Sequence, residues 1–427
     1  MNRISILACI LAVSFVSTAW AQPATKPAIG RHLQHRMANQ ASRTPSLTVS
    51  RSFNAQANSD DIWELGTYPG GTWAATMHLD DLGEIVARGD VPPLGPDGVG
   101  YTHTLVVNLF GPHAGEWIDL GALRPKQPTG WEEPLADISN NGVVASHSTA
   151  RGGHAHAVAW SEPTGMIDLG TLADTGDPQY ATYKMSWAMG INKLGTLIVG
   201  GSGPHGNLAT GFLAPVVWTQ SDGWQIHRLD TAAYPDFGWD VWDANDSGQI
   251  IAGGSYTAES TGVGALWNRR ADGKGWQKLM PLPPSSDYPS VIPFAINKRG
   301  EIAGVVASSD WNTWIPALWE PLDKKRTGYS DPILFPLPEG GFTSCELVGI
   351  NDHGDIVGDC WNADGSVDLP VRWTTKDPTF CETISFPGDW GFAEGVNNKG
   401  TAVVTYGGGE NCPADTYGSC VGAIQLH

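Results

Sequence analysis

The sequence predicts an all-β fold, a seven-bladed β-propeller whose N-terminal strand closes the last blade. Three observations carry this: a hairpin-turn motif that recurs seven times, four strand-like segments in each repeat, and an N-terminal segment matching what the last repeat lacks. Composition agrees. Of 427 residues, 53 are Gly, 30 are Pro and 19 are Trp, while only 16% are charged. Such a chain suits short strands and tight turns, and it lacks the Ala/Glu/Lys/Leu-rich stretches of helical bundles and coiled coils.

The motif is clearest at Gly190-Ile191-Asn192-Lys193-Leu194-Gly195, which runs on into Thr196-Leu197-Ile198-Val199-Gly200. Similar copies begin at Ala295-Ile296-Asn297, Gly349-Ile350-Asn351, Gly395-Val396-Asn397 and Asp243-Ala244-Asn245, with weaker ones at His78-Leu79-Asp80 and Asp137-Ile138-Ser139. The turn glycines are 83, 142, 195, 248, 300, 354 and 400, spaced 59, 53, 53, 52, 54 and 46 residues apart. An Asn, Asp or Ser side chain opens the turn by bonding the backbone two residues on. Gly three residues later takes the left-handed conformation of a type I turn with a bulge. Apolar runs on both sides complete a β-hairpin.

Two more strands follow each hairpin. The third often ends in Trp, as in Val158-Ala159-Trp160, Val216-Val217-Trp218, Ala265-Leu266-Trp267, Ala317-Leu318-Trp319 and Val371-Arg372-Trp373. The fourth is clearest in Met166-Ile167-Asp168-Leu169-Gly170-Thr171-Leu172 and in Trp117-Ile118-Asp119-Leu120-Gly121. Four strands per repeat of roughly 50 residues is the arithmetic of a propeller blade. The last repeat stops after its third strand, and Ile62-Trp63-Glu64-Leu65-Gly66-Thr67-Tyr68 resembles the missing fourth. Closure by that strand removes an exposed ring end.

The asparagine–glycine hairpin, the strand ending in Trp and the Asp-Leu-Gly-Thr-Leu strand resemble the extracellular HAF-type repeats of bacterial secreted proteins. The resemblance covers nearly all of residues 61–427 and is most specific at 165–172. Its His-Ala-Phe signature is degenerate here, with His156-Ala157-Val158 the nearest copy. The resemblance implies secretion and a propeller-like fold, and it implies no particular activity.

Residues 1–21 read as a secretory signal: Arg3, an apolar run from Ile4 to Val16, and Ala19-Trp20-Ala21 before the cut. Residues 22–60 read as a disordered basic linker, with Lys26, Arg31, Arg36, Arg43 and Arg51 against one acid, Asp60. The propeller occupies 61–427. The expected location is therefore secreted or periplasmic, where disulfides form. Cys345 and Cys360 flank the turn at 351–354 and should pair; Cys412 and Cys420 enclose a short loop and should pair; Cys381 is left over. A net charge of −19 makes nucleic acid a poor partner. No apolar run beyond the signal is long enough to span a bilayer, so no membrane insertion is expected. A monomer without cofactor or metal is expected.

Functional residues should sit on the loops joining one blade to the next, around the central funnel. Trp73, Trp131, Trp187, Trp239, Tyr288, Phe342 and Trp390 fall one per loop and are candidates for stacking a sugar ring or an apolar ligand. The same loops carry Glu132, Glu133, Asp177, Asp236, Asp240, Asp287, Glu346, Asp389 and Glu394, and a glycosidase pair requires two of them at the right separation. Two residues before each turn position stand His78, Asp137, Gly190, Asp243, Ala295, Gly349 and Gly395. Small residues suit a narrow axis, and His78, Asp137 and Asp243 are candidates to face the channel. His147, His154 and His156, with Tyr180, Tyr183 and Lys184, offer the residue types a polyuronide lyase needs. The segment 362–368 resembles a calcium loop but lacks its first Asp and reads better as a turn. No nucleophile elbow, zincin, P-loop or dinucleotide motif is present. These readings favour a binding or interaction scaffold for an extracellular glycan or protein. A polysaccharide lyase or hydrolase on the same face is the alternative, and a structural envelope protein the third.

Overall fold

The computed structural model describes residues 62–92, 100–124, 135–204, 213–255, 261–408, 412 and 419–427. The signal and linker assigned to residues 1–60 lie outside the described residues, as does Trp131. Seven four-stranded antiparallel sheets form the blades of a β-propeller. Six blades take their strands in simple succession. The seventh consists of Trp390–Val396, Thr401–Gly407, Cys420–Gln425 and, outermost, the N-terminal strand Ile62–Gly66. Ile62 pairs with Ile424 and Trp63 with Ala423, so the ring is closed by strand pairing between the two ends of the propeller.

The strands nearest the axis are largely buried, with a few polar residues set into them. Ser290–Ile296 and Ile302–Ala307 of blade five are buried at every residue. Outer strands are mostly short, such as Trp117–Asp119 and Ile333–Leu334, which limits the exposed sheet edge. Packing between blades supplies the apolar core, but two repeated polar bonds set how the blades register.

The first uses the third-strand tryptophans. Trp218 Nε1 donates to the Leu169 carbonyl (2.9 Å), Trp267 to Asp230 (2.8 Å), Trp319 to Pro283 (2.9 Å) and Trp373 to Pro336 (3.0 Å). Each indole thus reaches the preceding blade just beyond its outer strand. All four rings are almost fully buried. An indole gives both the apolar bulk to fill the seam and one donor to satisfy a carbonyl within it.

The second uses the turn asparagines. Asn297 Oδ1 accepts from the amides of Arg299 (3.0 Å) and Glu301 (3.1 Å), which shapes its own turn. Its Nδ2 donates to the Asn351 carbonyl of the next blade (3.1 Å). The step repeats from Asn245 to Asn297 (2.9 Å), from Asn351 to Asn397 (2.9 Å) and from Asn397 to Asp80 (3.0 Å). An aspartate could form the turn but has no donor for the neighbour. The turn glycines take positive φ as expected, 84° at Gly300 and 86° at Gly354.

Cys345 and Cys360 are bonded and lie directly opposite each other in blade six, and Cys412 is bonded to Cys420 in blade seven. Cys381 is the free cysteine among the described residues. The segment 362–368 is the turn between Asp355–Asn362 and Asp368–Thr374, closed by a bond from the Val367 amide to Asn362 Oδ1 (3.1 Å).

The ladder predicts that Asn397→Asp, which deletes the buried donor linking blade seven to blade one, lowers stability by about 1–3 kcal/mol. Equilibrium unfolding in urea checks this, and an unchanged midpoint would remove the ladder from the account.

Candidate functional site

The functional geometry lies on the propeller axis and begins with a local irregularity. In six innermost strands the register slips by one residue just before the turn: between Thr76 and His78, Ala188 and Gly190, Val241 and Asp243, Pro293 and Ala295, Leu347 and Gly349, and Ala393 and Gly395. A bulge bends the strand and re-aims the extra side chain. Here the extra residues are Met77, Met189, Trp242, Phe294, Val348 and Glu394. With Ala136 at the matching place in blade two, they ring a cavity of ≈ 120 Å³. Trp242 and Phe294 meet edge to face, with centroids 5.2 Å apart. Arg88 joins Glu394 as the other charged side chain of the upper wall.

The cavity floor holds His78, Asp137 and Asp243. The structure therefore brings the three channel candidates to one level. His78 Nδ1 lies 2.7 Å from Asp137 Oδ1. Asp137 Oδ2 accepts from the Ile191 amide of the next blade (2.8 Å), and its Oδ1 from Ile138 (2.7 Å). Asp243 repeats the arrangement two blades on, accepting from Ile296 (2.9 Å) and Ala244 (2.6 Å). Both carboxylates thus tie one inner strand to the next. Burial alone would lower the His78 pKa, but the charge of Asp137 and its contact raise it. Asp243 is pushed up to about 7, first by burial and then by Asp137. The glycines at this level are required by space. A Cβ on Gly349 would sit 2.9 Å from the Gly395 Cα, and one on Gly395 3.0 Å from the His78 ring.

Below the floor, the residues following each turn position close the mouth. Asn398 Nδ2 donates to Asp81 (3.0 Å) and Asp352 (2.9 Å), and Asn140 Nδ2 to Asp81 (2.8 Å). Lys193, from blade three, reaches across to Asp81 (3.6 Å) and Asp352 (4.0 Å), while Lys298 stands 3.3 Å from Asp352. Burial opposes ionisation of Asp81 and Asp352, yet amide bonds and these lysines hold both carboxyls below their ordinary value.

The loop aromatics divide. Trp187 and Trp239 are a correction to the expectation of ligand contact: both are buried, at 3% and 1% exposure. Trp239 is packed among Tyr234, Phe237 and Trp267, with the Trp267 centroid 5.7 Å away. These rings fill blade seams because the chain passes from loop to strand at their positions. Trp73, Tyr288, Phe342 and Trp390 are half-buried. Of the loop acids, Asp177, Asp236, Asp287 and Asp389 are exposed, Glu346 and Glu394 are buried, and burial pushes Asp240 up to about 7.

The lyase residues are engaged separately. Burial and the Arg88 charge push His147 down to about 3, leaving a poor base. His156 contacts Asp168 (2.9 Å), and the Tyr180 hydroxyl accepts from Arg228 (2.8 Å). His103 and Asp119 repeat the His156–Asp168 pair in blade one, at 2.7 Å. The sequence signal for this lies in the two matching fourth strands, each of which carries the Asp, and in a His two residues before the third-strand position that faces it. The bulge ring was missed because an extra residue breaks the alternation by which strand faces are read.

No protein-family model matches the chain, and no curated protein matches it. Solved structures do. Prolyl oligopeptidase B from Galerina marginata superposes with a TM-score of 0.50 at 10% identity, over 79% of this chain and 47% of that one. The β-propeller domain of the Trilobed protease from Pyrococcus furiosus gives 0.47 at 8% identity, over 78% and 90%. TolB from Acinetobacter baumannii gives 0.41 at 12% identity, over 71% and 64%. The chain thus spans about half the length of the oligopeptidase. Identities this low speak to the propeller fold alone.

Two outcomes follow from the charges. Lys193→Met should cost roughly 1 kcal/mol at pH 7, where Asp81 and Asp352 are ionised. Because those carboxyls titrate lower in the folded state, the difference from wild type should shrink as pH falls below about 4. Asp240 has the opposite sign: its folded pKa is raised, so its contribution is fullest below about 4 and is lost as pH rises through about 7. Asp240→Asn should therefore flatten the fall in melting temperature between pH 5 and pH 8. Thermal melts from pH 3 to pH 8 check both.

Proposed function

We propose that the chain is an exported binding scaffold that takes an extracellular glycan or a protein on its interblade-loop face. One observation carries this reading. Trp73 and Trp390 stand at corresponding places on adjacent blades, seven residues before turn positions 80 and 397, and both keep part of their surface in solvent. The blades that carry them are joined nearby, where the Thr76 amide donates to Thr405 Oγ1 (2.9 Å). Two aromatic rings fixed on rigid neighbouring strands suit stacking against successive sugar rings or an apolar protein side chain. The conspicuous ionisable groups on the axis meanwhile serve as links between strands. That is why binding is preferred to catalysis.

Export is supported by the pattern of residues 1–21 and is compatible with two disulfides. Membership of the HAF-type repeat family is part of the same proposal. Among the described residues no helix is long and apolar enough to cross a membrane.

Protein beginning at residue 22 should be screened against neutral glycans and polyuronides, reading Trp fluorescence and unsaturated-product absorbance together. Saturable fluorescence changes without product are expected, with Trp73→Ala and Trp390→Ala each weakening binding at least tenfold. Appearance of product would replace this reading with the enzymatic one, and silence in both channels would leave a protein partner as its sole remaining form.

A further inference from the structure

The quasi-symmetry of the channel floor exposes one unequal pair. Asp137 and Asp243 occupy the same position in blades two and four and bond the backbone in the same way. Asp137 also has an imidazole partner, because the preceding blade places His78 against it. In the blade preceding Asp243 the matching residue is Gly190. A Cβ there would sit 2.6 Å from the Trp242 carbonyl oxygen and 3.1 Å from the Asp243 Cα, so this chain can supply no side chain from that position. Asp243 has no Lys, Arg or His ion-pair partner among the described residues. Its oxygens each accept one backbone amide, which leaves lone pairs for a further partner.

The surroundings of Asp243 are those of an organic-cation site. The bulges beside it place Trp242, Phe294 and Met189 on the wall of the same cavity. Aromatic faces attract a cation, and thioethers adapt to its shape. The cavity, ≈ 120 Å³, has room for a compact group such as an imidazolium or a methylated ammonium head group.

We propose that the channel cavity binds a compact organic cation, held by the Asp243 carboxylate against the Trp242–Phe294 corner. The cation takes the part for Asp243 that His78 takes for Asp137. This site lies on the axis, apart from the loop aromatics of the scaffold reading, and stands without it. The ionisable groups acting on Asp243 are Asp137 and His78, while Arg88 and Glu394 stand on the upper wall of the same cavity and Lys193 lies below its floor. The adjoining inner strands present Met189, Gly190, Phe294 and Ala295 at this level. Since Asp243 must be ionised to hold a cation, affinity should fall in mild acid.

The test uses the full mature chain and tetramethylammonium chloride, whose charge does not change with pH, against sodium chloride at equal ionic strength. Binding is read by Trp emission and melting temperature. At pH 8 a saturable change with tetramethylammonium and none with sodium is expected. With Asp243 titrating near 7, affinity should be about tenfold lower at pH 6. Asp243→Asn should abolish binding. Trp242→Leu, which keeps the carboxylate, should weaken it at least tenfold while the protein still melts cooperatively. No saturable change in the wild type, an equal response to sodium, or undiminished binding by Asp243→Asn would each overturn the proposal.

Discussion

A propeller blade cannot stand by itself, because its inner strands are largely buried on both faces. Strands such as Ser290–Ile296 and Ile302–Ala307 have no solvent side, so each sheet must be covered by two neighbours and the series must close. Hydrophobic burial rewards that closure without directing it, since apolar contact is indifferent to small slides of one sheet over another. Direction comes from bonds with fixed donors and acceptors. The indole N–H groups of Trp218, Trp267, Trp319 and Trp373 act near the rim, and the asparagine amides act at the turns. Each would leave a buried polar group unsatisfied if its blade slipped, and that cost exceeds the net worth of the bond itself.

The same constraint shapes the axis. Seven strands converge there, and only residues without bulk fit at the tightest level, which is why Gly190, Gly349 and Gly395 recur two positions before the turn. His78, Asp137 and Asp243 are the exceptions. They are tolerated because two of them replace bulk with useful bonds between blades, and the third, His78, faces Asp137. Immediately above, the bulges turn one extra side chain toward the channel in six of the seven blades and make a cavity from what would otherwise be strand interior. Immediately below, Lys193 spans the mouth and offsets carboxylates contributed by blades one and six. A scaffold built in this way is rigid at its centre and leaves its loops to vary, the arrangement on which recognition surfaces are usually carried.

The loop aromatics show how far sequence position alone can mislead. Trp187, Trp239, Trp73 and Trp390 all precede a turn by five to seven residues and look equivalent along the chain. Burial separates them: the first two are packed in seams, and the last two keep access to solvent. Depth in the strand decides this: Trp187 is the third residue of Met185–Ile191 and Trp239 the second of Gly238–Ala244, whereas Trp390 opens its strand and Trp73 just precedes Ala74–Leu79. Likewise, His147 looked available as a base, but its strand places it in the interior beside Arg88.

What the sequence determined by itself was what local geometry and spacing along the chain fix. Seven turn motifs, four strands per unit, the displaced N-terminal strand and the two cysteine pairs were all legible, because each depends on local geometry or on spacing along the chain. The tertiary structure decided everything that depends on which atoms from different blades meet. It set the pairing of His78 with Asp137, the lack of a Lys, Arg or His ion-pair partner for Asp243 among the described residues, the convergence of bulged residues on one cavity, and the burial of some tryptophans and not others. The physical reason is common to all of these. A repeat specifies its own hairpin through bonds a few residues apart, whereas the axis is assembled from residues about 50 or more positions apart, whose distances exist only once the ring has closed.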